Sequence, residues 1–410
     1  MKAAKPSLEQ IALYALLTSL TALSIDAVLP ALRVIEADLT ATPPLATQHI
    51  VSLFVLGMVF GELLFGPLSD AIGRKKALLC GMAIYLAGTM VAILAGSVEM
   101  IVLGRILQGI GVSGPKIATR ALIRDQFEGE AMARVMSFIF VLIILVPMLA
   151  PAFGQLVMAL WGWRAIFVVY LAMAVALGVW LVARQPETLA PEHRIALRPV
   201  ILLRNALRIA GNRRVALLII ATGLIFGAQL LYLTIAADLF FDVYGIAETF
   251  PAYFAALAAG VGLASFTNAQ LVRRFGMRAM ARLALVGLAL FGCAMLAASL
   301  LYSGSPPLPV FMGLGFAVFF CIGVLFGNLN AMAMQSLGRI AGLGASMIAS
   351  GSSLVAVVFA VVLGAFYDQS TVPLAIGFAL AGVVSLVLVE WTSGASLDPI
   401  EPVAPTPSKR

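Results

Sequence analysis

The chain has 410 residues, of which 62% are hydrophobic and 11% are charged, and its mean hydropathy is +1.06. A soluble domain is about 45–50% apolar and about one quarter charged, so this composition excludes an ordinary soluble protein and predicts a membrane protein. The net charge of +7 would suggest nucleic-acid binding only if the basic residues formed one patch. The three cysteines lie inside apolar runs without metal-ligand spacing, so we expect no metal site.

A membrane-spanning helix needs about 20 mostly apolar residues. Runs of that length predict an all-α membrane protein with twelve spans. Their approximate limits are 11–33, 47–68, 77–96, 100–122, 134–159, 163–183, 214–237, 250–271, 280–302, 308–332, 342–366 and 371–390.

One polar segment is longer than the other connections and divides the twelve runs into six plus six. We therefore predict an N-terminal six-helix bundle over residues 1–183, a cytoplasmic linker over 184–213 and a C-terminal six-helix bundle over 214–392. The remaining tail, 393–410, is rich in Pro, Ser and Thr, which predicts disorder.

The positive charges predict the orientation in the membrane. With both termini in the cytoplasm, Arg33 and Arg164 lie outside, and Arg105 and Lys116 lie within the membrane. The other Lys and Arg residues, out of 26 in the chain, then lie on the cytoplasmic side. Basic residues are enriched in cytoplasmic loops, so this orientation is favoured over one shifted by a helix. It also spreads the basic residues over many loops, so we expect no nucleic-acid partner.

The turn between the second and third runs reads GPLSDAIGRKK over residues 66–76. It resembles the loop signature of the major facilitator superfamily, G-x-L-x-D-x-x-G-R-[KR]. The resemblance implies a gating loop that closes the cytoplasmic side, with the acidic residue near a helix N-terminus, where the dipole favours an anion. The alternative is a basic turn that only anchors the topology. The residues concerned are Gly66, Asp70, Gly73, Arg74 and Lys75.

Three further segments carry the same resemblance. LGRILQGIG at 103–111 resembles the family's R-x-x-Q-G-x-G motif, and PMLAPAFGQ at 147–155 resembles the antiporter signature G-P-x-x-G-G. IDAVLPAL at 25–32 is similar to the D-x-x-L-P-x-L of the drug:proton antiporter branch, especially its Bcr/CflA-like multidrug exporters. The resemblance implies two pseudo-symmetric six-helix bundles and transport by alternating access.

Asp26 is the leading candidate for proton coupling. An acid inside a membrane helix costs about 2.5–3.5 kcal/mol on insertion scales, so such a residue normally faces a cavity and has a function there. Arg105 should lie at a similar depth in the fourth run, and we expect the two to pair or to compete for one proton. The alternatives are a fixed ion pair for Asp26 and a clamp on backbone carbonyls for Arg105.

Lys116 lies three helical turns after Arg105, and Glu62 on the second run should lie at a comparable depth. An ion pair between them and a contact of Lys116 with substrate both remain open. Uncharged polar residues are the other candidates for the cavity wall, although hydrogen bonds between helices explain the serines equally well. These candidates are Gln108, Gln229, Tyr232, Ser346 and Ser350.

Pro147, Pro151 and Gly154 interrupt the fifth run. Proline removes a helical hydrogen bond, and glycine permits close packing. The antiporter resemblance implies a bend that seals the outward leak path, and the alternative is an ordinary kink.

A nucleotide site is excluded although residues 109–114 spell G-x-G-x-x-G. That motif binds nucleotides only between a strand and a helix, whereas here it lies inside a spanning run. His49 and His193 are isolated, and no His, Cys or carboxylate cluster suggests an enzyme. We therefore expect no cofactor, with the proton gradient as the energy source.

Together these features predict a proton-coupled secondary transporter that exports small amphiphilic molecules or drugs from the cytoplasm of a bacterium. Its partners would be the substrate, protons and the lipid bilayer of the inner membrane, and a monomer is expected. The main alternative is a proton-coupled transporter of one specific metabolite, including an anionic one. A receptor or scaffold without transport is less favoured.

Overall fold

The computed structural model describes residues 6–43, 45–195, 197, 199–337 and 341–392, and the predicted disordered tail lies outside them. The regular structure of these residues is helical, without strands. The α-helices in this part of the chain are α1 (Leu8–Asp26), α2 (Leu32–Asp38), α3 (His49–Ile72), α4 (Arg74–Ile93), α5 (Val98–Gln126), α6 (Gly129–Trp161), α7 (Arg164–Arg184), α8 (Pro199–Gly211), α9 (Arg213–Asp238), α10 (Phe250–Phe275), α11 (Met277–Leu301), α12 (Leu308–Met334), α13 (Ala341–Gly364) and α14 (Val372–Trp391).

Among the described residues, 11 helical segments are long and apolar enough to cross a membrane. They correspond to eleven of the twelve predicted runs. The remaining run, 100–122, is α5, which has 29 residues and therefore sufficient length. Its mean hydropathy is lowered by buried polar groups, including Arg105 and Gln108, and by several glycines. Its place as a twelfth span stays a prediction.

The sequence predicts one continuous helix over 11–33, but the structure has a break in this run. α1 ends at Asp26, a short 3₁₀ turn follows over Leu29–Ala31, and α2 then begins at Leu32. Pro30 explains the break, because its ring has no N–H and clashes with the carbonyl four residues earlier, which is that of Asp26. The break therefore places Asp26 at a helix end inside the bundle.

The long helices form two halves, α1 to α7 and α9 to α14, and most of the packing lies within each half. In the first half α5 packs against α3 and α4, and in the second half α9 packs against α13 and α14. Two helix pairs provide most of the packing between the halves: α3 packs against α13, and α6 packs against α10.

The bundle has two ends, which are named here by their charged residues. The Arg74 end holds the α3–α4 turn, the start of α1 and the end of α7. The Arg33 end holds α2 and the α6–α7 turn, where Trp163 and Arg164 both donate to the Asp38 carboxylate. In the predicted orientation, the Arg74 end would face the cytoplasm.

Gly154 in α6 packs directly against the backbone carbonyl of Ala27, at the break that follows α1. We expect Gly154→Ala to lower the unfolding temperature, because the added Cβ would collide with backbone that cannot rotate away. The cost should be about 1–3 kcal/mol, typical of overpacking. Gly313→Ala in α12 is the matched control, since no atom lies within 4 Å of its added Cβ. Thermal unfolding in one detergent measures both, and equal unfolding temperatures would contradict the close contact.

Candidate functional site

A central cavity of about 310 Å³ lies between the two halves. The first half contributes α1, α3, α5 and α6 to its wall, and the second half contributes α9, α10 and α12. Its charged lining residues are Asp26, Lys116 and Arg120. The cavity is thus mainly apolar, with an acid from α1 and two bases from α5.

Asp26 lies in this cavity wall at the broken end of α1, and only 4% of the residue is exposed. It has no salt bridge or hydrogen bond to another described residue. An ionised carboxylate that is so little exposed, without a compensating cation among the described residues, has a costly charged form. A proton or a group of a bound molecule would therefore stabilise it.

Arg105 is fully buried beside the same break, and none of its hydrogen bonds to the described residues goes to Asp26. Its Nη2 donates to the Ser24 carbonyl at 2.8 Å and its Nε to the Ile50 carbonyl at 3.1 Å. Its Nη1 donates to Gln108 Oε1 at 2.9 Å. Arg105 therefore clamps α1, α3 and α5 together through backbone carbonyls.

The expected Asp26–Arg105 pair is thus wrong for this structure, although the matched depth of the two residues is right. Gln108 is also wrong as a cavity residue, because it is fully buried between α4 and α5 and donates to Thr89 Oγ1 at 2.7 Å. Both errors have one cause: a helical position predicts depth, whereas rotation about the helix axis decides which neighbour a side chain meets.

Gln229 and Tyr232 of α9 line the cavity, as the sequence suggests. Tyr232 stacks on Phe254 with ring centroids 5.7 Å apart and meets Phe319 edge-on at 4.9 Å. These three rings form an aromatic wall on the second half. Such a surface can hold the apolar part of a small molecule. Contact of Gln229 and Tyr232 with substrate stays a prediction.

Glu62 and Lys116 form the ion pair that the sequence left as one of two alternatives. Glu62 is fully buried, and its second oxygen accepts a hydrogen bond of 3.1 Å from Ser353 of α13. Lys116 keeps 24% of its side chain exposed and lines the central cavity. The pair therefore links the two halves and neutralises one cavity cation.

Ser346 and Ser350 of α13 face α3 rather than the central cavity. Ser350 donates to the Val59 carbonyl at 2.8 Å, and Ser346 lies directly against Gly66. Ser346 and Ser350 are therefore wrong as lining of the central cavity, because their hydroxyls serve the α3–α13 contact. The alternative of hydrogen bonding between helices explains Ser350.

A second, smaller cavity of about 140 Å³ lies toward the Arg74 end. Its lining includes Asp70, Arg124, Gly342 and Ser346, and it shares Lys116 and Arg120 with the central cavity. These two basic residues therefore stand between the cavities. Sequence reasoning assigned Arg120 to a cytoplasmic flank and missed its place at the cavity, although its spacing of four from Lys116 was a usable signal.

Arg74 is the centre of the predicted gating loop, with only 5% of the residue exposed. It forms ion pairs with Asp70, one helical turn earlier, and with Asp125 of α5 at 2.9 Å. The Asp70 carboxylate in turn lies 3.6 Å from the position that a Cβ would take at Gly342, in the first turn of α13. The loop thus contacts the start of a second-half helix, and its gating role stays a prediction.

Glu187 of the linker completes this loop and was missed as a site residue. Its two oxygens accept hydrogen bonds from the backbone N–H of Arg74 (2.8 Å) and of Lys75 (3.2 Å), at the start of α4. A carboxylate is favoured there by the helix dipole. Gly73, with φ +104°, leaves no room for a Cβ beside Glu187. A contact across more than 100 residues leaves no local sequence pattern.

At the Arg33 end, ion pairs also join the halves. Arg33 of α2 pairs with Asp238 at 2.9 Å and with Asp242 in the turn after α9. Gln48 donates to the other Asp238 oxygen at 3.2 Å. Contacts between the halves therefore exist at both ends of the central cavity.

The predicted antiporter kink lies between these elements. Pro147 lines the central cavity, Pro151 is buried, and Gly154 packs against the α1 break. α6 continues as one helix through both prolines. The sealing role of this segment stays a prediction.

Membrane-length helices in two halves around a central cavity are typical of a multi-pass membrane transporter rather than of an enzyme. A sequence model of the Major Facilitator Superfamily matches residues 14–360. The chain belongs to the major facilitator superfamily.

Similar proteins support the drug:proton antiporter branch of that family. The chain is 27% identical to the "Bicyclomycin resistance protein homolog" of Haemophilus influenzae, over 93% of this chain and 95% of the relative. It is 27% identical to "Multidrug resistance protein D" of Escherichia coli, over 55% of this chain and 60% of the relative. The solved structure of a D-xylose–proton symporter has a TM-score of 0.74 at 14% identity, covering 96% of this chain and 99% of the symporter, and shows the shared fold alone.

Glu187→Ala tests whether Glu187 holds the 184–213 linker against the start of α4. We expect a lower unfolding temperature and faster tryptic cleavage of the 184–213 linker, because the first N–H groups of α4 lose their carboxylate. Loss of such a cap typically costs about 1 kcal/mol. Glu192→Ala is the control, since Glu192 is exposed in the same linker. Equal cleavage rates in both variants would show that Glu187 does not hold the linker.

Proposed function

We propose that this protein is a proton-coupled exporter of small amphiphilic molecules, working by alternating access in a bacterial inner membrane. One observation carries the proposal: Asp26 is a buried acid in the wall of the central cavity, without a cation partner among the described residues. A buried acid without a fixed partner exchanges a proton or a substrate group at low cost, whereas a paired one would be locked. The drug-resistance names of its relatives support an amphiphilic substrate.

The exchange at Asp26 follows from electrostatics. When the cavity opens to the cytoplasm, a substrate enters against the aromatic wall while Asp26 is ionised. When it opens to the outside, a proton neutralises Asp26, and the empty carrier can close without a buried bare charge. Proton and substrate then alternate, which is antiport.

The two ends supply the alternation. Opening toward the Arg74 end requires α3 and α13 to separate, so that Ser353 leaves Glu62 and Asp70 leaves the start of α13. Opening toward the Arg33 end requires Arg33 to leave Asp238 and Asp242. Each closed end is held by charged or polar contacts that water can replace, so neither contact set is prohibitively costly to open.

This proposal includes twelve spans with α5 as the fourth, both termini in the cytoplasm and a functional monomer. It also takes the proton gradient as the energy source, without a cofactor. The basic residues of the Arg74 end support the orientation.

A second candidate is a proton-coupled transporter of a specific anionic metabolite. The observation that favours it is Arg120, a cation on the cavity lining that forms no ion pair within 4 Å with another described residue. A small anion bound next to Asp26 itself would bind better when Asp26 is protonated than when it is ionised, which links this candidate to symport rather than antiport.

Resistance measurements test the exporter. In a host lacking its own pumps, we expect the parent chain to raise resistance to amphiphilic drugs, and Asp26→Asn to return it to the level of the empty vector, because the cavity loses its only titratable acid on the described lining. Glu36→Gln, at an exposed acid of α2, is the control. Equal resistance with Asp26→Asn and the parent would remove Asp26 from coupling.

Transport in proteoliposomes with an imposed pH gradient separates the two candidates. For antiport, we expect substrate to move opposite to the proton flow, and reversal of the gradient to reverse its direction. Substrate moving together with protons would instead support the metabolite symporter. Flux that ignores the gradient would contradict both forms of coupling.

A further inference from the structure

Three basic side chains follow one face of α5. Lys116, Arg120 and Arg124 are spaced four residues apart, so they are neighbours along the helix surface. All three line the smaller cavity, and the first two also line the central cavity. This series, called here the basic ladder, leads from the Arg74 end into the central cavity.

The basic ladder carries more positive charge than its surroundings neutralise. Like charges four residues apart on a helix destabilise it. Lys116 is paired with Glu62, which also interacts electrostatically with Arg120. Arg120 and Arg124 form no ion pair or hydrogen bond with another described residue, so one acid faces three bases. Asp70 and Asp125, the acids at this end of α5, are both engaged by Arg74. Two guanidinium groups thus face the cavities with their donors free.

We propose that the basic ladder recognises an anionic group of the transported molecule, and that Arg120 determines this specificity. The substrates would be amphiphiles with a carboxylate, sulfonate or phosphate group. Arg120 is the best placed member, because it reaches both cavities and its planar fork can bind such a group through two hydrogen bonds. The inference rests on the proposed function, in which the central cavity holds the substrate.

The geometry allows an anion at Arg120 without blocking Asp26. Asp26 lies eighteen residues from the start of α1 at the Arg74 end, or about 27 Å along the helix. Arg120 lies six residues from the end of α5 at the same end, or about 9 Å. The cavity therefore has an acid at one level and bases at another. The anionic group of a bound molecule would lie near Arg120, toward the Arg74 end, and its apolar part would contact the aromatic wall. Asp26 would then remain free to bind a proton.

Binding of a matched pair of probes tests the inference. The probes are 2-naphthalenesulfonate and 2-naphthalenesulfonamide, which share one ring system and differ by one negative charge. Dissociation constants come from the ligand-dependent shift of thermal unfolding of the purified full chain in a phosphate-free maltoside detergent. We expect the sulfonate to bind about tenfold more tightly or better, as for a hydrogen bond to a charged group.

Substitutions assign that preference to the basic ladder. Arg120→Gln should remove the preference for the sulfonate and leave sulfonamide binding unchanged. Arg274→Gln is the matched control, because Arg274 is exposed at the end of α10 and lines neither cavity. Glu62→Gln should act in the opposite direction and tighten sulfonate binding, because Lys116 loses its counter-charge while the amide oxygen can still accept from Ser353.

Equal constants for the two probes in the parent chain, or absence of binding by both, would overturn the inference. So would an equal effect of Arg120→Gln and Arg274→Gln. None of these results contradicts the proposal that the protein is an exporter, because that proposal is tested separately by the resistance of the Asp26→Asn variant. Adding phosphatidylglycerol to the micelles distinguishes the source of the anion: unchanged sulfonate binding supports a transported molecule, whereas competition would overturn that assignment in favour of a lipid headgroup.

Discussion

The constraint on which this structure depends is that a charge within the membrane must be satisfied by the protein or face a cavity. Arg105 meets it with backbone carbonyls of α1 and α3, and Glu62 meets it with Lys116 and Ser353. Asp26 and Arg120 instead face the cavity. This division separates the charges that hold helices together from those that are available to a proton or a substrate.

Close backbone approach is the second requirement, since helices in lipid associate by packing rather than by hydrophobic burial. Gly66 lets α3 meet α13, and Gly154 lets α6 reach the carbonyl of Ala27 beside Asp26. The glycine at 154 therefore connects the antiporter-like segment to the acid. A change in the bend of α6 would displace the α1 break through the contact of Gly154 with Ala27. The antiporter-like segment of α6 could thereby change the position of Asp26.

Prediction from the sequence succeeded where a property depends on the residue type and its depth. Eleven of the predicted runs and the burial of Asp26 follow from length and cost of burial. The Glu62–Lys116 pair was one of two alternatives that the spacing left open, and the structure contains it. Prediction failed where the partner of a side chain depends on helix rotation. Arg105 donates to backbone carbonyls, Gln108 donates to Thr89, and Ser350 donates to a carbonyl of α3. Glu187 could not be found at all, because its partners at the start of α4 lie more than 100 residues away.

The sequence by itself determined the membrane class and the resemblance to the family, because hydropathy and the loop motif act locally. The tertiary structure alone decided which charges are free. Whether an acid or a base inside the membrane is paired depends on which helices border it and on their rotation, and these are set by packing across the whole bundle. That is why Asp26 lacks the partner expected for it, and why Arg120 emerges as a cavity residue.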